Sequence, residues 1–177
     1  MATSTIEAIR EYLLDGVTFL KRDKKFDAPT ARNNDIIESF MELVDADHYV
    51  LAHATSPFTP VESIEKCIAA VCSGAYDSAF TVKRILAFLW KDSKAYNYVP
   101  EDVPRTQDLE PLYAETNGAF VLPRDIFIKY KLRTGIAPYL CEISALESVD
   151  IDYPEEFELA NAIYMTIMKE RFEHGER

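Results

Sequence analysis

The chain has 177 residues, 48% of them hydrophobic and 28% charged, which suits one globular domain with a sizeable core. Its 30 Asp and Glu against 19 Lys and Arg give a formal charge of -11, which excludes a general nucleic-acid surface, since that needs basic stripes to displace counterions from phosphates. Cys67, Cys72 and Cys141 form neither an even framework nor a close metal spacing and read as reduced, packed thiols of a cytoplasmic protein, and neither a signal-peptide core nor a membrane-length apolar run is present.

Ser4 and Glu7 have capping-box spacing, and Ile6, Ile9 and Leu13 recur at helical intervals up to Gly16, predicting a first helix over about 5–15. Val17–Leu20 is a short β-rich run. Ile36, Ile37, Phe40, Met41 and Val44 then repeat with helical period, and His48–Ala52 is a continuous apolar strand. Thr59, Pro60 and Glu62 read as an N-cap, a proline at the first helical position and a glutamate at N3, opening a helix that ends at Gly74. Ser78–Val82 is the next strand. Such alternation of buried-type strands with helices predicts an α/β chain built on a mainly parallel sheet.

Between about 83 and 116 the periodicity breaks into a Trp/Tyr-rich, proline-punctuated stretch that includes Phe88–Lys91, Asn97–Pro100 and Val103–Arg105. This reads as an excursion from the core. Regular structure resumes with a strand at Gly118–Leu122, a helix over about 124–133 entered through Pro123, a strand near Pro138–Ile143, and a long helix from Pro154 to about Arg171. The expected organisation is a single domain, 1–177, carrying one excursion.

Four constellations carry possible chemistry. In Ser148-Val-Asp150-Ile-Asp152 the aspartates stand at i and i+2 of an extended segment, so both point to one side. Two such carboxylates suit a Mg²⁺ ion, which takes one or two carboxylates plus phosphate oxygens and water; read alone, Asp152 is equally a helix cap and Asp150 a solvated charge. The segment Arg105-Thr-Gln107 to Asn117-Gly118 is dense in planar hydrogen-bonding groups that suit an anionic, polyhydroxylated ligand, or a plain polar loop. His53 follows the strand at 48–52, and Lys21-Arg22 follows the run at 17–20. Ligands of open α/β sheets bind at such strand ends, although a lone histidine and a basic pair are more often structural or solvated. No residue stands out as a general base.

Together, His53-Ala-Thr-Ser-Pro-Phe-Thr59, Pro104–Pro111 with Glu115-Thr-Asn-Gly118, and Val149-Asp-Ile-Asp152 with Glu155-Glu-Phe157 and Ala160 occur in the order seen in acylneuraminate cytidylyltransferases. Over about 3–165 the chain resembles that family, and the first block looks closer to its capsule and lipopolysaccharide branch, because the strand ends in His53 where the best-known members carry Gln.

The resemblance implies a three-layer α/β/α nucleotide-diphospho-sugar transferase (Rossmann-like) fold. It implies transfer of CMP from CTP to an acidic sugar for surface polysaccharide synthesis, with Mg²⁺ as cofactor and a homodimer in which the excursion reaches towards the partner's site. Carried over by position, Asp150 and Asp152 are the metal pair. Arg22, Ala31 and Asn33 face the nucleotide; His53, Arg105, Gln107, Asn117 and, more weakly, Lys91 line the sugar pocket. The family's opening strand and its phosphate-binding loop, rich in Arg, Gly, Ser and Lys, have no counterpart in these residues, so Met1–Ser4 would fall in its second strand and the fold would be N-terminally truncated. The expectation is then an impaired enzyme, with a non-catalytic sugar-binding or assembly protein as the alternative.

Overall fold

The computed structural model describes residues 2–3, 12 and 14–169; the helix expected over about 5–15 and the end of the last helix lie largely outside the described residues. The chain divides into two compact units at Asp47/His48.

In the first unit, β1 (Ala2–Thr3) pairs in parallel with β2 (Leu20–Lys21). Asp23 then accepts a hydrogen bond from the Lys25 backbone and starts a 3-10 turn, Lys24–Asp27. Helix α1 (Asn33–Leu43) buries Ile37 and Met41, one helical turn apart on its apolar stripe. It begins a turn ahead of the first periodic apolar residue, where Arg32 forks onto Asp35 through Nε and Nη2.

The second unit is organised by a four-stranded sheet. Its strands are β3 (His48–Ala52), β4 (Ser78–Ile85), β7 (Leu112–Pro123) and β8 (Pro138–Glu142), in the order β3-β7-β4-β8. β4 and β8 are parallel, whereas β7 runs antiparallel to both β3 and β4. The sheet is therefore mixed rather than mainly parallel. The physical reason is that β7 is reached through the excursion and not through a helical crossover, so the chain re-enters the sheet reversed. Every residue of Ser78–Val82 and Gly118–Leu122 is buried, as expected for strands covered on both faces.

Helix α2 (Val61–Cys72) packs Cys67 and Val71 against Ala79, Val121 and Cys141. Pro60 sits at its N-cap in extended conformation, one residue earlier in the helix than the spacing predicts, and Thr59 makes no capping bond. Cys67 is fully buried beside Cys141, and burial pushes its thiol up to about 12. Cys72, by contrast, is exposed. Helix α3 (Arg124–Tyr130) stops where Lys131 turns left-handed, φ 53°. Helix α4 (Pro154–Ile163) continues into a wider π turn at Tyr164–Met168.

The excursion contains a short hairpin, β5 (Trp90–Lys91) and β6 (Lys94–Ala95). Asp92 and Ser93 between them both have positive φ, 51° and 60°, as a two-residue turn matched to strand twist requires. Asn97 clamps the base, accepting from the Leu89 N–H and donating to the Ala87 carbonyl. Trp90 and Tyr96 stay about 60% exposed.

Candidate functional site

The site grows from a defect in the β4–β7 ladder. Phe80 pairs with Phe120 but Val82 pairs with Glu115, so β7 holds extra residues between two consecutive rungs. Thr81 fills the gap: its Oγ1 accepts from the Ala119 N–H at 3.1 Å and from the Thr116 hydroxyl at 2.7 Å. A bulge of this kind takes residues out of the ladder and re-aims a side chain. Here it frees Asn117, whose Nδ2 donates to the Asp150 carboxylate.

Asp150 is aimed by alternation. Val149 and Ile151 pack towards the cluster of Phe58 and Ala160, so Asp150 and Asp152 take the opposite side of the extended segment. The Ile151 N–H anchors that segment on the Thr55 carbonyl at 2.9 Å, just beyond the end of β3. Ser56 Oγ reaches Asp150 at 3.2 Å, and the Ile151 N–H also faces it. Burial pushes the Asp150 carboxyl up, but donors from Asn117, Thr55, Ser56 and Ile151 outweigh it and hold the pKa below its ordinary value. Asp152 does not cap α4. That role falls to Glu156, whose Oε2 accepts from the Asp152 and Tyr153 N–H groups at 2.7 and 3.0 Å, while the exposed Asp152 carboxylate accepts no hydrogen bond among the described residues.

His53 lies beside the same two aspartates. Its imidazole pKa is lowered by burial and by Arg133, against the opposing pull of Asp150 and Asp152. Its ring meets the edge of Phe120 at 6.3 Å, and its Nε2 is buried without a partner. Arg133 covers the same Phe120 ring, 4.1 Å from the guanidinium carbon to the centroid, and is ion-paired through Nη2 to Glu115. The bend before β8 that follows it is tied down by Asp77, which accepts from the Ile136 and Ala137 N–H groups.

Of the residues singled out in sequence, this geometry brings His53, Asn117, Asp150 and Asp152 together. Arg105 instead forks onto Asp108 within its own turn at 2.8 and 3.0 Å, with its side chain 78% exposed. Gln107 accepts from the Thr106 hydroxyl, and Lys91 sits exposed in the β5 hairpin. In the first unit, Arg22 pairs with Asp27 at 2.8 Å and its Nε is buried without a partner. Asn33 opens α1, and Ala31 lines a cavity of about 450 Å³ together with Lys25, Phe26 and acidic residues of α1. Sequence reading missed Thr55 and Ser56 as carboxylate donors, since they looked like a turn, and missed Arg133, because basic residues after a helix C-terminus are ordinary.

Among the described residues no group of three or more acidic, histidine or cysteine side chains gathers as a metal cage. The Asp150/Asp152 pair nonetheless fits a Mg²⁺ ion that arrives with phosphate. Asp150 is held ionised and Asp152 has a carboxylate with no donor on it among the described residues, and phosphate oxygens and water usually supply the rest of such a shell.

The architecture is a mixed α/β fold, a central sheet flanked by helices, of the kind found in cytidylyltransferase structures. The chain superposes on CMP:2-keto-3-deoxy-manno-octonic acid synthetase complexed with CTP with a TM-score of 0.65 at 18% identity, covering 93% of this chain and 79% of that one. It matches 4-diphosphocytidyl-2C-methyl-D-erythritol synthase from Anaerococcus prevotii with a TM-score of 0.62 at 11% identity, covering 90% and 75%. The bifunctional IspDF from Campylobacter jejuni gives 0.60 at 9% identity, covering 89% of this chain and 40% of that one. No family model and no curated protein sequence matches the chain.

Proposed function

We propose that this chain is a CMP-sugar synthetase-type nucleotidyltransferase, built to bind CTP and an acidic sugar and to transfer CMP between them. The observation that carries the reading is the Asn117–Asp150 contact: a ladder bulge delivers a polar side chain to an ionised aspartate at the carboxyl end of β3. That is the position where open α/β sheets take their ligands, and the fold is one shared with a synthetase complexed with CTP.

In this reading Asp150 and Asp152 hold Mg²⁺, which when bound would neutralise charge on the triphosphate. Asn117, Ser56 and Thr55 keep Asp150 ionised and oriented for that task. His53 and Asn117 serve the sugar. The sugar hydroxyl attacks the α-phosphorus in line, its proton passes to solvent, and pyrophosphate leaves as the bond from the α-phosphorus to the bridging oxygen breaks. No side chain is assigned as a base, so catalysis rests on positioning and on preorganised charge. The exposed aromatics of the excursion, Trp90 and Tyr96, fit a homodimer contact.

A second reading, a sugar-binding protein without transfer, is favoured by one feature. Both Asp150 oxygens already accept hydrogen bonds, Oδ1 from Ser56 and Ile151 and Oδ2 from Asn117, which leaves little of a carboxylate's roughly four lone-pair sites for a cation. The test is pyrophosphate release with CTP, Mg²⁺ and a panel of acidic sugars. Sugar-dependent release is the expected result. Saturable sugar binding with no release would establish the binding protein instead.

A further inference from the structure

We propose that Arg133, with His53 beside it, is the anchor for the acid group of the sugar, a role that rests on the acidic-sugar reading above. The guanidinium is fixed on two sides: its carbon stands over the Phe120 ring, 4.1 Å from the centroid, and Glu115 holds its Nη2. Its side chain is 19% exposed, against 39% for that of Glu115. Among the described residues the other terminal nitrogen, Nη1, is buried with no hydrogen-bond partner, and so is Nε2 of His53, whose ring stands edge-to-face with the same Phe120.

Native proteins pair nearly all such buried groups, and an unmet donor on a charged side chain is among the costlier ones to leave. Two orphaned nitrogens at one aromatic ring therefore point to a ligand group that satisfies both. A carboxylate does so: one oxygen accepts from Arg133 Nη1, and the second oxygen, or the adjoining hydroxyl, meets His53 Nε2. The Glu115 pair shows that this guanidinium already takes a carboxylate along its other edge, in keeping with the planar fork that suits arginine to carboxylates. Reaching Nη1 requires a small displacement of the side chain, for which the partly exposed Glu115 partner leaves freedom. Arg105, by contrast, has its fork filled by Asp108.

The test is calorimetric binding, with Mg²⁺ present, of eight- and nine-carbon 2-keto acid sugars and of the same sugars with the carboxylate converted to an amide. The proteins compared are the parent, Arg133→Gln and Arg133→Lys. The parent is expected to prefer acid over amide by about tenfold or more, the value of one hydrogen bond to a charged group. Arg133→Gln should lose that preference while still binding the amide measurably, which also reports that it folds. Arg133→Lys should keep part of the preference, and this variant decides the matter if the glutamine form proves unstable. An unaltered acid-over-amide ratio in the variants would overturn the assignment and leave the sugar reading intact. Failure of the parent chain to bind any of these sugars would remove both.

Discussion

Asp150 is where single-residue chemistry is most concentrated. Its carboxyl is held below its ordinary value in the folded chain because the donors that face it outweigh its burial. A depressed carboxylate contributes stability that is present above the unfolded value of about 3.9 and is lost as pH falls through the folded value. Asn117→Ala removes the Nδ2 donor and is expected to cost about 1–3 kcal/mol near neutral pH. The cost should shrink as pH falls through the depressed folded value, where the carboxyl takes up its proton. Urea unfolding of parent and variant over a series of pH values from 7 downwards checks this, and a pH-independent difference would mean that Asn117 supports the bulge rather than the charge.

At the scale of elements, β7 decides the site. Its bulge needs Gly118, because a Cβ there would stand 2.5 Å from the Thr59 hydroxyl and 2.8 Å from that of Thr81. Gly118→Ala is expected to destabilise by about 1–3 kcal/mol, the usual cost of overpacking. Thr59→Ala removes the nearer clash, so the double variant should recover part of the loss in a thermal-melt cycle. Strict additivity of the two changes would show that the loop before α2 does not press on the bulge. Of this arrangement the sequence showed the strand and the Asn-Gly pair, which by local rules reads as a turn. That the pair stands inside a twelve-residue strand follows from its pairing with β3 and β4, which no local period encodes.

At the scale of the whole molecule, the excursion is the part whose role an assembly test settles. Phe88 and Tyr98 pack at 4.6 Å and Trp90 meets Tyr98 at 6.3 Å, yet Trp90 remains 61% exposed. Burying a large aromatic is worth about 1.5–3 kcal/mol, so a partner that covers it gains. Light scattering is expected to show a dimer at micromolar concentration, and Trp90→Ser with Tyr96→Ser to shift it towards monomer. A stable monomer in the parent would leave the excursion as cover for its own unit.

What the sequence determined by itself is whatever depends on neighbours within a turn or two. The 3.6-residue period marked α1, α2, α3 and the start of α4, and continuous apolar runs marked β3, β4 and β8. The alternation Val149-Asp150-Ile151-Asp152 turned Val149 and Ile151 towards Phe58 and Ala160. Only the tertiary structure decided the reversed direction of β7, and with it which groups meet. Asn117 reaches Asp150 across 33 residues of chain, and Ser56 reaches it across 94. Arg133, a commonplace cation in the sequence, became notable only when β7 placed Phe120 beneath it and Glu115 beside it. Such contacts are set by strand pairing and burial acting over the whole unit, because a side chain's partners at long range are fixed by the sheet's register and leave no mark in the residues on either side of it.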